Sequence, residues 1–110
     1  MSSSARLLLC CFWLATLAGG ADVPAAYTNT CSKCHGVDGK GNPAAGAMKA
    51  AVPDLHSKAV QELSDEEMYQ TIARGDRHKA YAHAFLYRGM TEKEIRELVK
   101  YIRTFDTAGK

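Results

Sequence analysis

The sequence predicts an all-α domain with three to four helices joined by long loops. Two capping boxes mark helix starts, one at Ser64 and one at Thr91. Glycines and prolines are concentrated between residues 35 and 53, where they exclude regular structure. No run of alternating β-branched residues stands upstream of Cys31 to predict a strand. Capped helices without a strand pattern therefore define the expected fold class.

The first helix is predicted to begin at Pro24 and to continue to about Lys33. Proline suits the first helical position because its φ is already close to the helical value and its missing N–H is not needed there. Gly36, Gly39 and Gly41 follow closely and open a long loop.

The segment around Ser64 carries the signature of a helix N-terminus. Ser64 is the expected N-cap, and Glu67 stands at the third helical position to close a capping box. This helix is expected to end at Arg74 because Gly75 can adopt the left-handed conformation of a C-cap.

The same signature precedes the last helix. Thr91 is the expected N-cap, Glu94 closes the box, and Met90 forms a hydrophobic staple with Ile95. The apolar residues that follow recur on one face, so the helix is amphipathic and packs inward. They are Ile95, Leu98, Val99 and Ile102.

A C-x-x-C-H motif, formed by Cys31, Cys34 and His35, lies where the first helix meets the loop. This pattern is typical of c-type haem attachment. Each thiol adds to a vinyl group of the porphyrin as a thioether, and the histidine nitrogen binds the iron. The motif predicts one covalent haem c, with Cys31 and Cys34 as anchors and His35 as the proximal ligand.

Two other kinds of site also contain C-x-x-C. A structural zinc site needs four ligands, and the other cysteines, Cys10 and Cys11, are adjacent to each other and cannot form a second half-site. A thioredoxin-type pair needs a βαβ context, which the sequence before Cys31 does not provide. Haem attachment is therefore the favoured interpretation.

Residues 1–21 have the layout of a secretory signal peptide. Arg6 precedes an apolar run, and the small residues 18–21 follow it, so cleavage is expected after Ala21. The run is shorter than the about 20 residues of a helix that spans a bilayer. The sequence thus predicts a leader, residues 1–21, and a mature periplasmic domain, residues 22–110, without stable membrane association. An uncleaved anchor is the alternative.

The charge balance argues against nucleic-acid binding. Of 14 basic residues, Arg6 belongs to the leader, which leaves 13 against 12 acidic residues. Nucleic-acid-binding proteins have a strong basic excess. Basic residues do cluster at Arg74, Arg77, Lys79 and Arg88, and both a solvated surface and a docking patch for an acidic redox partner fit them. No oligomeric signal is present, so a monomer is expected.

Taken in this order and spacing, these features resemble the class I cytochrome c family along essentially the whole mature chain. The haem motif is the specific part of the resemblance. The other matching features are Tyr27 four residues before the first haem cysteine, the glycine-rich segment 36–41, Pro53-Asp54-Leu55, the helix 63–75, and a terminal helix with Leu98 and Tyr101. The resemblance implies a cytochrome c fold, with the helices and loops wrapped around one covalently attached haem.

The resemblance also implies roles for individual residues. The first and last helices would cross near Tyr27 and Tyr101. The carbonyl of Pro53 would accept a hydrogen bond from the outer ring nitrogen of His35, which fixes the ring and strengthens it as a ligand. Leu55 would pack on the haem.

The sixth iron ligand is where this chain departs from the family pattern. Family members usually place Met-Pro-x-Phe between the last two helices, and the methionine sulfur binds the iron. If Phe85 is aligned with the phenylalanine of that segment, the methionine position falls on Ala82 and the proline position on His83. The usual ligand is therefore missing, although Phe85 remains as a haem contact.

Four interpretations of the sixth position remain open. His83 lies beside the expected slot in an apolar segment, and a neutral imidazole is a good iron ligand. Met90 is conventional chemically, but its staple role already explains it. His78 fits if the alignment is shifted, and the position could also have no protein ligand.

The predicted function is that of a single-electron carrier, which accepts electrons from one transient redox partner and passes them to another. No Ser-His-Asp or paired-carboxylate arrangement indicates an enzyme. The alternative is a haem protein with an open or labile sixth position, which acts as a gas binder, a sensor or a weak peroxidase.

Overall fold

Helices joined by loops make up residues 22–44, 52–76 and 83–106, which are the residues that this computed structural model describes. None of these three ranges contains a strand, in agreement with the predicted all-α class. The elements in chain order are a π-helix Tyr27–Cys31, α1 Ser32–His35, α2 Lys58–Gln61, α3 Asp65–Arg74, a 3-10 helix Phe85–Arg88, and α4 Glu92–Arg103.

Several sequence predictions fall outside the described residues. They concern the leader, residues 1–21, the candidate ligand His78, and the basic residues Arg77 and Lys79. Within the described ranges, no helix is both long enough and apolar enough to cross a bilayer.

The first helical segment begins where the sequence predicts but is not a uniform α-helix. The N–H groups of Tyr27 and Thr28 both donate to the Pro24 carbonyl, at 2.9 and 3.2 Å. The chain then widens into the π-helix Tyr27–Cys31 before α1. The segment ends at His35, two residues later than expected, because Gly36 takes a positive φ of 78°.

Both predicted capping boxes are formed. The Ser64 hydroxyl accepts a hydrogen bond from the N–H of Glu67 at 3.1 Å, and the Glu67 carboxylate accepts one from the N–H of Ser64 at 2.8 Å. At α4 the same reciprocal pair joins Thr91 and Glu94. Gly75 ends α3 in the left-handed conformation, with φ 82°.

Two short helices were not predicted from the sequence. Helix α2 is one turn long, and the Ser57 side chain caps it by accepting from the N–H of Val60. The 3-10 helix Phe85–Arg88 is equally short. Four residues are too few to show helical periodicity, so such elements depend on the packing around them.

The core forms where the N-terminal segment crosses α4, as the resemblance implied. Tyr27, Ile95 and Leu98 are the largest fully buried side chains. The ring of Tyr27 meets that of Tyr101 edge to face, with 4.8 Å between centroids and a 66° interplanar angle. The Tyr27 hydroxyl donates to the Gly36 carbonyl at 2.7 Å, and burial raises its pKa well above the usual value.

A polar cluster at the end of α4 connects this helix to the loop that carries Leu55. The Gln61 side-chain amide donates to the carbonyls of Leu55 and Ile102, at 2.8 and 3.0 Å. The Arg103 guanidinium donates to the carbonyls of Gln61, at 2.7 Å, and Leu63. The carbonyls of Leu55 and Leu63, which lie outside the helices, are thus bonded to side chains.

We predict that Tyr27→Phe lowers the free energy of unfolding of the haem-loaded protein by about 1 kcal/mol, because it removes one buried hydrogen bond and keeps the ring packing. Urea titration followed by circular dichroism measures this change. Tyr87→Phe is the matched control, because Tyr87 is 78% exposed, and it should change stability by less than about 0.5 kcal/mol. Equal effects of the two substitutions would contradict the role given to the Tyr27 hydroxyl.

Candidate functional site

The residues of the C-x-x-C-H motif lie on consecutive turns of the N-terminal helical segment. Cys31 is the last residue of the π-helix, and Cys34 and His35 are the last two residues of α1. Both cysteines are partly buried free thiols. Burial, with a smaller contribution from Cys34, raises the pKa of Cys31 to about 11, so this side chain is a protonated thiol at neutral pH.

The loop after α1 fixes the end of this helix. The N–H of Gly41 donates to the carbonyl of His35 at 2.7 Å, and the N–H of Asn42 donates to that of Cys34 at 2.9 Å. The Asn42 side chain also donates to the Lys33 carbonyl at 2.9 Å. Three successive carbonyls at the C-terminus of α1 are therefore bonded, which holds the backbone of the motif in one orientation.

The tight loop requires glycine at one position in particular. Gly39 has φ 75°, and a Cβ there would lie only 3.0 Å from the ring of Phe105. The Gly39 carbonyl accepts from the N–H of Leu55 at 2.8 Å, which brings Leu55 under the loop and into the core.

His83 faces His35 across the site. The centroids of the two imidazole rings are 6.1 Å apart, and the ring planes differ by only 18°. The Nδ1 atoms of both rings are buried. The structure therefore brings together the predicted proximal histidine and one of the candidate sixth ligands, which are 48 positions apart in the sequence.

This spacing fits two ligands on opposite sides of one metal ion. Metal–imidazole bonds are about 2.0 Å long, and a bound nitrogen lies about 1.1 Å from its ring centroid, so axial imidazoles have centroids about 6.2 Å apart. The observed 6.1 Å between the centroids of His35 and His83 agrees with this value.

The type of metal group follows from the number of ligands. Within the described ranges, no group of three or more His, Cys, Asp or Glu side chains lies close enough to hold a metal ion. Two imidazoles alone would leave most positions around a metal ion unfilled, and a porphyrin would supply four further nitrogens. Beside His35, the thiols of Cys31 and Cys34 stand where a porphyrin can be anchored covalently, so these residues fit a haem c.

Phe85 and Leu55 form apolar parts of the site, as expected for haem contacts. Phe85 is buried, and its ring centroid is 5.6 Å from that of His83. The guanidinium of Arg88 lies over the Phe85 ring, 5.5 Å from its centroid. Leu55 is also buried in the core. Direct packing of Leu55 and Phe85 on haem stays a prediction.

The side chain of Pro53 is exposed. Pro53 is placed just before the buried Leu55, and its role toward His35 remains a prediction.

Met90 is partly buried and packs against the hydrophobic core, which includes Ile95. Its N–H donates to the carbonyl of Phe85 at 3.0 Å and closes the 3-10 turn. The structure thus accounts for Met90 as a packing residue. Of the basic cluster, Arg74 and Arg88 are described, and both are exposed.

Sequence reasoning missed the role of His56. Its Nε2 is hydrogen-bonded to the Asp38 carbonyl at 2.7 Å, and its ring centroid lies 4.9 Å from that of Phe105. His56 connects the glycine-rich loop to the end of α4. No motif in the sequence indicates this contact, because the two bonded residues are 18 positions apart.

The family model for cytochrome c matches residues 21–106. The chain belongs to the cytochrome c family. Among solved structures, the cytochrome resembles the KustC0563 c-type cytochrome, with 26% sequence identity and a TM-score of 0.58. That match covers 74% of this chain and 93% of the other. A search of curated proteins found no significant match. Membership implies a covalently bound haem c and haem-based electron transfer.

We predict that Cys31→Ala combined with Cys34→Ala makes the haem of this cytochrome extractable with acidified acetone, because both thioether bonds are lost. Lys33→Ala, an exposed position between the two anchors, is the control and should leave the haem in the protein fraction. The pyridine haemochrome spectrum of each fraction measures the outcome. Haem that stays bound to the double variant would contradict the assignment of the anchors.

Proposed function

We propose that this cytochrome is a periplasmic single-electron carrier that holds one haem c through Cys31 and Cys34, with His35 and His83 as the two axial ligands. The observation that carries the proposal is the opposed pair of imidazoles, 6.1 Å apart and nearly parallel. Two axial ligands that are the same in both oxidation states suit electron transfer, because the change of oxidation state then requires no gain or loss of a ligand.

The surrounding protein supports the same chemistry. A bound haem c supplies the reversible Fe(III)/Fe(II) couple. The hydrogen bonds from Gly41 and Asn42 keep the backbone at His35 fixed, and buried Phe85 keeps water away from the His83 ring. With both ligands held in place, little structure has to change with the oxidation state. Histidine in place of methionine lowers the working potential relative to the usual family member.

The alternative function, gas binding or weak peroxidase chemistry, needs an open or easily vacated sixth position. The 6.1 Å between the ring centroids of His83 and His35 supports axial ligation by His83. A distal acid–base group would instead need space for a bound molecule between itself and the iron. We therefore do not assign an enzymatic activity.

The proposed location and partners rest on the sequence. The leader pattern of residues 1–21 supports export to the periplasm. The partners would be an electron donor and an electron acceptor that bind transiently to a monomer. Arg74 and Arg88 are exposed and belong to the basic cluster, which supports docking of an acidic partner surface.

We predict that His83→Ala converts the ferric protein from a low-spin to a high-spin spectrum, allows rapid CO binding in the ferrous state, and changes the midpoint potential. The reason is that one axial position becomes vacant. Optical and electron paramagnetic resonance spectra measure the change. Met90→Leu is the control and should leave both spectra as in the wild type, because in the proposed arrangement Met90 packs against the core and does not bind the iron.

The wild-type protein should also lack the far-red band that arises from charge transfer between methionine sulfur and ferric iron. A far-red band that Met90→Leu abolishes would assign the sixth ligand to Met90. A spectrum that remains low-spin after both substitutions would favour His78 as the sixth ligand.

We predict that the protein isolated from the periplasm has the mass of residues 22–110 plus one haem, because cleavage follows Ala21 and both thiols bind the same porphyrin. Intact-mass spectrometry under denaturing conditions measures both features at once. A mass that includes residues 1–21 would support the uncleaved anchor instead, and a mass without haem would contradict covalent attachment.

A further inference from the structure

The residue after His83 has an unusual backbone conformation. Ala84 has φ 45° and ψ 39°, and it is the only non-glycine residue with a positive φ in the described ranges. Alanine disfavours this left-handed conformation because its Cβ crowds the neighbouring carbonyl oxygen. Glycine adopts the same conformation without that clash. Such outliers persist only where the surrounding structure enforces them.

The chain after Ala84 is firmly held. The Ala84 carbonyl accepts from the N–H of Tyr87 at 3.0 Å, and the Phe85 carbonyl accepts from that of Met90 at 3.0 Å. Gly89, with φ 93°, ends the 3-10 helix, and the capping box of Thr91 begins α4 directly afterwards. Phe85 is itself buried. The strain at Ala84 therefore cannot be relieved by a shift of the residues that follow it.

The strained backbone determines where the His83 ring can lie. With Phe85 fixed in the core, the dihedral angles of Ala84 set the direction of the chain at His83 and bring the two rings to 5.6 Å of each other. In this conformation His83 also faces His35. An alanine in the right-handed helical region would direct the preceding residue elsewhere, so the ligating position of His83 and the strain at Ala84 occur together.

We propose that Ala84 is a positioning residue whose left-handed backbone weakens the hold of His83 on the haem iron, so that external ligands can displace His83. The inference rests on the proposed function, in which His83 is the sixth ligand. Release of His83 lets Ala84 return to an ordinary conformation, and this relief favours the displaced state. The backbone conformation of Ala84 thus lowers the free energy that holds His83 on the iron.

The test is a cyanide titration of the ferric, haem-loaded protein and of its Ala84→Gly variant. Glycine removes the strain from the ligated conformation, so we expect the apparent affinity for cyanide to fall by about fivefold, and CO binding to the ferrous protein to slow by a similar factor. The low-spin spectrum should remain. An unchanged or higher affinity for cyanide would overturn the proposal.

Two further variants separate the possible causes. Ala59→Gly introduces glycine at an exposed position in α2, away from the site, and measures the general effect of added backbone freedom. It should lower the melting temperature without changing the cyanide affinity. His83→Ala tests the proposed ligand itself. If its spectrum is that of the wild type, the proposed ligation fails. If His83→Ala becomes high-spin but Ala84→Gly leaves cyanide binding unchanged, only the role of Ala84 fails.

Discussion

The opposition of His35 and His83 is the constraint on which the rest of the structure depends. A bond between iron and imidazole requires the ring nitrogen to lie within a few tenths of an ångström of its correct place, so the backbone on each side of the gap has to be fixed. His35 is fixed locally, because the bonds from Gly41 and Asn42 satisfy the carbonyls at the end of its own helix. His83 is fixed from the other direction, through buried Phe85 and the 3-10 turn that leads into α4.

The contact between Tyr27 and Tyr101 joins these two halves, since it packs the N-terminal segment directly on α4. The helix crossing is thus also the framework that sets the distance between the rings of His35 and His83.

The sequence was sufficient to predict the features whose causes are local. The capping boxes at Ser64 and Thr91 and the left-handed Gly75 involve residues within a few positions of each other, so their side chains and backbone groups determine them directly. The haem motif is local in the same sense, because one helical turn brings the two thiols and the histidine together.

By contrast, α2 and the 3-10 helix are one turn each, and they depend on the residues that pack on them. The contacts of His56 with Asp38 and Phe105 join residues that are far apart in the sequence, and no local sequence pattern predicts them.

The sixth position shows the same division between local and distant causes. From the sequence, the missing Met-Pro segment left four interpretations open, since each candidate is a reasonable donor and spacing along a loop does not fix distances in space. Among the described residues, the His83 ring lies 6.1 Å from that of His35, which favours His83, and Met90 packs against the hydrophobic core. His78 lies outside the described residues. The positive φ of Ala84 was not predictable either, because alanine has no preference for that conformation and takes it only under tertiary constraint.

The proposed pair of imidazoles and the strained Ala84 have opposite effects on the chemistry. Two strong nitrogen ligands stabilise ferric iron and suit a carrier of low potential, whose ligands should stay in place. Strain beside one of them reduces the free energy that keeps it there, because the displaced state regains an ordinary backbone conformation. The balance between these terms determines whether the sixth position is closed or exchangeable. The equilibrium at His83 has two states. With His83 bound, the haem suits electron transfer, and with His83 displaced, it can bind a small ligand. The backbone conformation of Ala84 determines the balance between these two states.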